Sequence, residues 1–144
     1  MTENEIAYQI RGAIFTVYNT LGPGLFETVY EKALVIELCK KGLSVQTQVP
    51  FIALYDGIEI GEAFRMDIQV NEKDVVELKS VESVQLVHHK QLITYLKLTG
   101  LKLGLLVNFI TDDLEKNIVC KVNKLEDNQS AVSAQQSTVS SGNN

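Results

Sequence analysis

The chain has 144 residues, which one domain accommodates. Hydrophobic residues make up 45% and charged residues 22%, an ordinary balance for a globular protein. The 13 Lys and Arg against 18 Asp and Glu leave a net charge of −5, which argues against a broad basic surface for nucleic acid or an anionic membrane. No apolar run approaches the roughly 20 residues of a membrane span, so no membrane partner is expected. The start, Met1-Thr2-Glu3-Asn4-Glu5, is acidic and unlike a signal peptide's basic n-region, and a cytoplasmic protein is expected. Cys39 and Cys120 stand in apolar sequence with no second ligand nearby, which predicts two reduced core thiols.

Residues 3–20 read as an amphipathic helix. Ile6, Ile10, Ala13, Ile14, Val17, Tyr18 and Leu21 recur at helical spacing. Gly22-Pro23-Gly24 breaks it. A second helix is predicted over 25–41, with Lys40 and Lys41 in its last turn and Gly42 as its cap. Glu27 falls at the margin of its apolar face, close to Leu34. Glu31 and Lys32 read as plain surface, and Glu37 falls among apolar neighbours.

Strand signals follow. Residues 44–54 form the first, with Pro50 marking an edge strand or a bulge. Asp56-Gly57 is a hairpin turn. The second strand runs through 58–61 into 63–70, and the third is 74–79. A helix is predicted over 84–98, ended by Thr99-Gly100. Residues 101–109 are apolar on both faces and read as a buried strand, and a last strand is predicted over 117–123. From Glu126 the sequence is too polar to offset its ordering entropy. The expected organisation is therefore one domain, 1–125, and a disordered polar tail, 126–144.

Most of the chemistry lies between Arg65 and Tyr95. Strict alternation puts Phe64, Met66, Ile68 and Val70 on one face, and Arg65, Asp67 and Gln69 on the other. In the third strand Val76 and Leu78 share a face, opposite Val75, Glu77 and Lys79. A three-residue loop, Asn71-Glu72-Lys73, places Val70 opposite Asp74, Ile68 opposite Val76, Met66 opposite Leu78 and Asp67 opposite Glu77. Apolar then meets apolar throughout, which a two-residue loop does not achieve.

Two adjacent carboxylates repel unless one is protonated or a cation lies between them. One reading of Asp67 and Glu77 is a pair that holds a hard divalent ion, with Lys79 beside it to orient water or balance phosphate charge. The other is a solvated cross-strand ion cluster. The following helix carries His88, Gln91, Leu92 and Tyr95 on one face. Gln91 and Tyr95 offer donors to phosphate or to the carboxylates. His88 reads more readily as a structural histidine, and His89 as solvated.

Gly24-Leu25-Phe26-Glu27-Thr28-Val29-Tyr30 resembles the pattern that names the GxxExxY proteins. Leu21-Gly22-Pro23-Gly24, Tyr30-Glu31-Lys32-Ala33-Leu34 and Gly104-Leu105-Leu106-Val107-Asn108-Phe109 are also similar to that family, which is placed in the PD-(D/E)xK nuclease superfamily. The resemblance spans about residues 6–109. It implies an α/β, restriction-endonuclease-like αβββαβ core, a mixed central sheet flanked by helices, here with an extra N-terminal helix. By position, Asp67 resembles the motif's Asp and Glu77-Leu78-Lys79 its (D/E)xK. Glu27 looks like the helical Glu that joins the site, and Gln91 to Tyr95 is similar to the QxxxY element of the RecB-type branch. Tyr18 stands where family members often carry His.

The resemblance implies a nuclease-like phosphodiesterase acting on DNA or RNA with Mg²⁺ or Mn²⁺. Asp67, Glu77, the Leu78 carbonyl and Glu27 are the implied metal ligands, Lys79 the residue that orients water, and Gln91, Tyr95 and His88 the substrate contacts. The alternative is a non-catalytic nuclease-fold scaffold that binds nucleic acid or a protein partner. A homodimer is compatible with both readings. The charge fits either: Glu126 and Asp127 lie in the tail, and Glu27, Asp67 and Glu77 account for the remaining excess acid. Lys90, Lys97 and Lys102 are then free to form a local basic patch.

Overall fold

A computed structural model describes residues 1–123. The expected polar tail, 126–144, and the boundary at residue 125 lie outside the described residues.

Helix α1 (Glu3–Leu21) begins on a reciprocal cap. The Glu5 N–H donates to Thr2 Oγ1 at 3.2 Å, and the Thr2 N–H donates to Glu5 Oε1 at 2.9 Å. Its predicted stripe from Ile6 to Val17 is buried, whereas Leu21 at its end is exposed. Helix α2 (Glu27–Lys40) buries Tyr30, Leu34 and Leu38. The left-handed step that ends it falls on Gly42, at φ +79°.

Five strands follow in the spatial order of the sequence: β1 (Val45–Tyr55), β2 (Ile58–Val70), β3 (Asp74–Lys79), β4 (Leu103–Asn108) and β5 (Ile118–Val122). β3 and β4 are parallel and the other neighbours antiparallel. Helix α3 (Leu86–Thr99) makes the parallel crossover. β4 is buried along its whole length, as its two-sided apolar pattern requires. α1 and α2 cover one face of the sheet through Ile68, Val70, Val76, Leu78, Leu105 and Val107. α3 covers the other through Leu92 and Leu96 against Met66, Val75 and Leu106. Gly104 permits this second contact, since a Cβ there would lie 2.7 Å from Leu92 Cδ1. The result is the α/β restriction-endonuclease-like arrangement, an αβββαβ core preceded by an extra N-terminal helix.

The loop over 71–73 has the three residues that the pattern predicts, with Val70 opposite Asp74 and Ile68 opposite Val76. The ladder then stops. Asp67–Glu77 and Met66–Leu78 do not form the predicted ladder pairs. Nor do Phe64, Met66, Ile68 and Val70 share a face. Ile68 and Val70 enter the core under α1 and α2, whereas Phe64 and Met66 pack beneath α3. The exchange occurs where Asp67 faces Gln48, between the pairs Thr47↔Ile68 and Val49↔Met66. Gln48 has φ +52°, a left-handed step inside β1 that turns the outer half of the hairpin relative to the inner half. Beyond it, the Phe51, Phe64 and Tyr95 rings stack in sequence, with centroids 4.8 and 4.1 Å apart.

The thiols depart from expectation. Cys39 and Cys120 are both exposed: Cys39 follows the buried Leu38 on α2, and Cys120 lies on β5, at the edge of the sheet. His89 is also not solvated. It is half-buried with Nδ1 unpartnered, and burial, Lys121 and His88 hold its pKa below the ordinary value.

Candidate active site

Where the β2–β3 ladder parts, Asp67 turns its carboxylate toward β3. Asp67 Oδ2 accepts the Leu78 N–H at 2.9 Å. Glu77, on the neighbouring position, is only 7% exposed, and its Oε1 has no partner. Burial, reinforced by the adjacent Asp67 carboxyl and only partly opposed by Lys79, pushes the Glu77 carboxyl up to about 10. A solvated ion cluster is therefore not what these residues form. They set a buried Glu77 carboxyl against a half-buried Asp67 carboxylate, next to one lysine. Tyr95, stacked on Phe64, has its hydroxyl pKa raised by burial and by Glu77 and Asp67.

Glu27 reaches the same sheet end from α2. Its Oε2 accepts the Ser80 N–H at 3.1 Å, one residue beyond Lys79. The loop before α2 is braced around it. Tyr30 Oη donates to the Gly22 carbonyl at 2.6 Å and accepts the Leu25 N–H at 3.1 Å, while its ring stacks on Phe109 at 4.0 Å. Ser80 Oγ donates to the Leu25 carbonyl. Asn108 is buried and holds the segment after β3, donating to the Val81 carbonyl at 2.8 Å and accepting the Val81 N–H at 3.1 Å.

A small cavity of about 80 Å³ is lined by Glu27, Thr28, Glu31, Gln48, Asp67 and Leu78. A wider cleft of about 480 Å³ continues from Glu27 and Thr28 past Phe26, Ser80 and Ile110. Glu31 is thus not plain surface. It is half-buried and accepts Gln48 Nε2 at 2.7 Å. Its placement one helical turn after Glu27 was the available signal, because like charges at i and i+4 repel unless something answers them. Glu37 has a simpler partner in Lys40, at 3.0 Å.

The remaining residues divide. Lys79 ends β3, half-buried, within electrostatic reach of Glu77. His88 Nδ1 accepts the Gln85 N–H at 3.0 Å, a helix-capping contact at the start of α3. Gln91 is exposed on α3. Tyr18 Oη donates to the Thr111 carbonyl, tying α1 to the loop after β4.

The geometry agrees with the comparison against family models, in which the PD-(D/E)XK nuclease superfamily matches residues 4–121. The chain belongs to the PD-(D/E)XK nuclease superfamily. No curated protein and no solved structure gave a match. Nucleases of this superfamily generally use divalent metal ions, and the residues present fit one. The orphaned Glu77 oxygen beside Asp67 belongs to an oxygen-only donor set of the type that hard cations prefer, and a bound cation would displace the proton that burial keeps on Glu77. Among the described residues, no three His, Cys, Asp or Glu side chains converge closely enough to hold an ion. Glu27 engages the Ser80 amide and lines the small cavity together with Asp67. Also among the described residues, no helix is long and apolar enough to cross a membrane.

Proposed function

We propose that this chain is a GxxExxY-type member of its superfamily and a metal-dependent phosphodiesterase acting on nucleic acid. The observation that carries the reading is Glu77, a buried carboxyl with a free oxygen, set against Asp67 and next to Lys79. Burying the Glu77 carboxyl with an oxygen left unpartnered is unfavourable, and no structural bond of that oxygen offsets the cost.

Asp67, Glu77 and the Leu78 carbonyl hold Mg²⁺ or Mn²⁺, with Glu27 as a direct or water-mediated ligand. Bound there, the ion supplies positive charge that lowers the pKa of water and offsets charge on the phosphate. Lys79 orients the attacking water and faces the phosphate with its ammonium. Tyr95 braces the carboxylates through its stack on Phe64. Gln91, on the exposed side of α3, meets the substrate strand, as does His88 when its cap contact opens.

The test is cleavage of labelled single- and double-stranded DNA and RNA with Mg²⁺ or Mn²⁺. Cleavage is expected in the natural protein and lost in Asp67→Ala and Lys79→Ala. Activity persisting in both variants would refute the assignment. The scaffold reading draws on one observation: among the described residues, no three acidic, His or Cys side chains converge closely enough to hold an ion. It predicts nucleic-acid or protein binding with no divalent-cation uptake at millimolar Mg²⁺ or Mn²⁺.

A further inference from the structure

We propose that Gln48 is a positioning residue that fixes the Asp67 carboxylate and ties it to α2. The proposal rests on the reading of Asp67 as a cation ligand. Gln48 Nε2 donates to Glu31 Oε1 at 2.7 Å and makes a longer contact to Asp67 Oδ1 at 3.5 Å. Both partners are carboxylates, so the amide must turn its nitrogen toward them. Asp67 Oδ2 is held at the same time by the Leu78 N–H. Asp67 Oδ2 thus has a close donor in the Leu78 N–H, and Oδ1 faces the Gln48 amide nitrogen at the longer 3.5 Å.

The backbone supports the same conclusion. Among the described residues, the other non-glycine positions with positive φ are Asp56, Asn71 and Glu72, all in hairpin turns. Gln48 lies inside a strand, where a left-handed residue persists only if its surroundings hold it. Its position is the one at which the two halves of β2 exchange faces, directly across from Asp67. The strain and the carboxylate contact thus belong to one local feature.

The chemistry of the amide suits the role. A lysine at this position would neutralise Asp67 and compete with a cation. A neutral donor restrains the carboxylate and leaves its charge available. Gln48 also answers Glu31, which lines the same cavity as Glu27 one turn along α2. The amide therefore couples α2, which carries Glu27, to β2, which carries Asp67.

Two measurements on the full chain test this. The first needs no metal. In ¹⁵N-resolved NMR, one Gln48 side-chain amide proton is expected downfield of solvated glutamines, returning to their range in Glu31→Ala. A Gln48 amide indistinguishable from solvated ones in the natural protein would overturn the proposal. The second is calorimetric titration with Mn²⁺. Gln48→Gly keeps a backbone that tolerates positive φ and removes the amide. Its affinity should fall about tenfold, as for other residues that orient metal ligands, with the melting temperature little changed. Gln48→Asn, which keeps a donor on a shorter stem, should recover part of the loss. Unchanged Mn²⁺ affinity in Gln48→Gly would also overturn the proposal. If the natural protein takes up no Mn²⁺, the cation reading fails, and the amide signal alone decides whether Gln48 holds α2 to β2.

Discussion

The Asp67 carboxylate accepts the Leu78 N–H at 2.9 Å, so a side chain of β2 takes the place of a backbone bond to β3. One group thus serves the sheet and the proposed site together. Asp67→Ala leaves the Leu78 N–H without its acceptor and should lower stability by about 1–3 kcal/mol. Asp67→Asn retains an acceptor oxygen and should keep most of that stability while losing cation affinity. Urea denaturation of both variants separates the two roles, and equal destabilisation by both would contradict this account.

Glu77 lends itself to the opposite dissection. With its carboxyl pushed up to about 10, it is protonated at neutral pH in the metal-free protein. Glu77→Gln reproduces that neutral form. Metal-free stability at pH 7 should change by less than about 1 kcal/mol, whereas calorimetric Mn²⁺ uptake should disappear. Comparable losses of stability and uptake would mark Glu77 as a structural residue.

Asp74 is the second buried carboxyl and lies outside the site. It is fully buried at the start of β3, both oxygens are unpartnered, and burial together with Glu3 pushes it up to about 7, against the pull of Lys73. In the unfolded chain an Asp titrates at about 3.9. Between these values the folded state keeps a proton that the unfolded state has released. Stability therefore falls as pH rises from about 4 to about 7, then levels off with respect to this group. Asp74→Val should add about 2 kcal/mol at pH 8 and little at pH 4, read from denaturation midpoints at the two pH values. A gain independent of pH would argue against titration of Asp74.

Tyr30 connects the loop before α2 to the core. Its hydroxyl bonds the Gly22 carbonyl and the Leu25 N–H, and its ring lies on Phe109. Tyr30→Phe should lower stability by about 1–2 kcal/mol. Amide exchange should accelerate first at Leu25, whose N–H loses its partner. Exchange that accelerates uniformly along the chain would show that the hydroxyl does not act locally.

The element order and the three-residue loop before Asp74 were legible because burial imposes periods of 3.6 and 2 on the sequence. Glu27, Asp67, Glu77 and Lys79 were legible as residue types in a motif. The rest depended on features that alternation does not encode. A left-handed Gln48 moves Phe64 and Met66 to the face opposite Ile68 and Val70, so parity failed beyond Asp67. Glu31 reads as surface in the sequence because its partner, Gln48, is distant along the chain. The exposure of Cys39 and Cys120 is not encoded in their apolar neighbours, because Cys39 points away from the buried side of α2 and Cys120 sits on the edge strand β5.

The central claim is that Asp67 and Glu77 share one divalent ion. Anomalous diffraction from crystals soaked in Mn²⁺ tests it most directly. The account predicts one Mn²⁺ peak within about 2.0–2.3 Å of an oxygen from each carboxylate, absent from Glu77→Gln crystals. A peak that touches neither residue, or no peak at millimolar Mn²⁺, would contradict it.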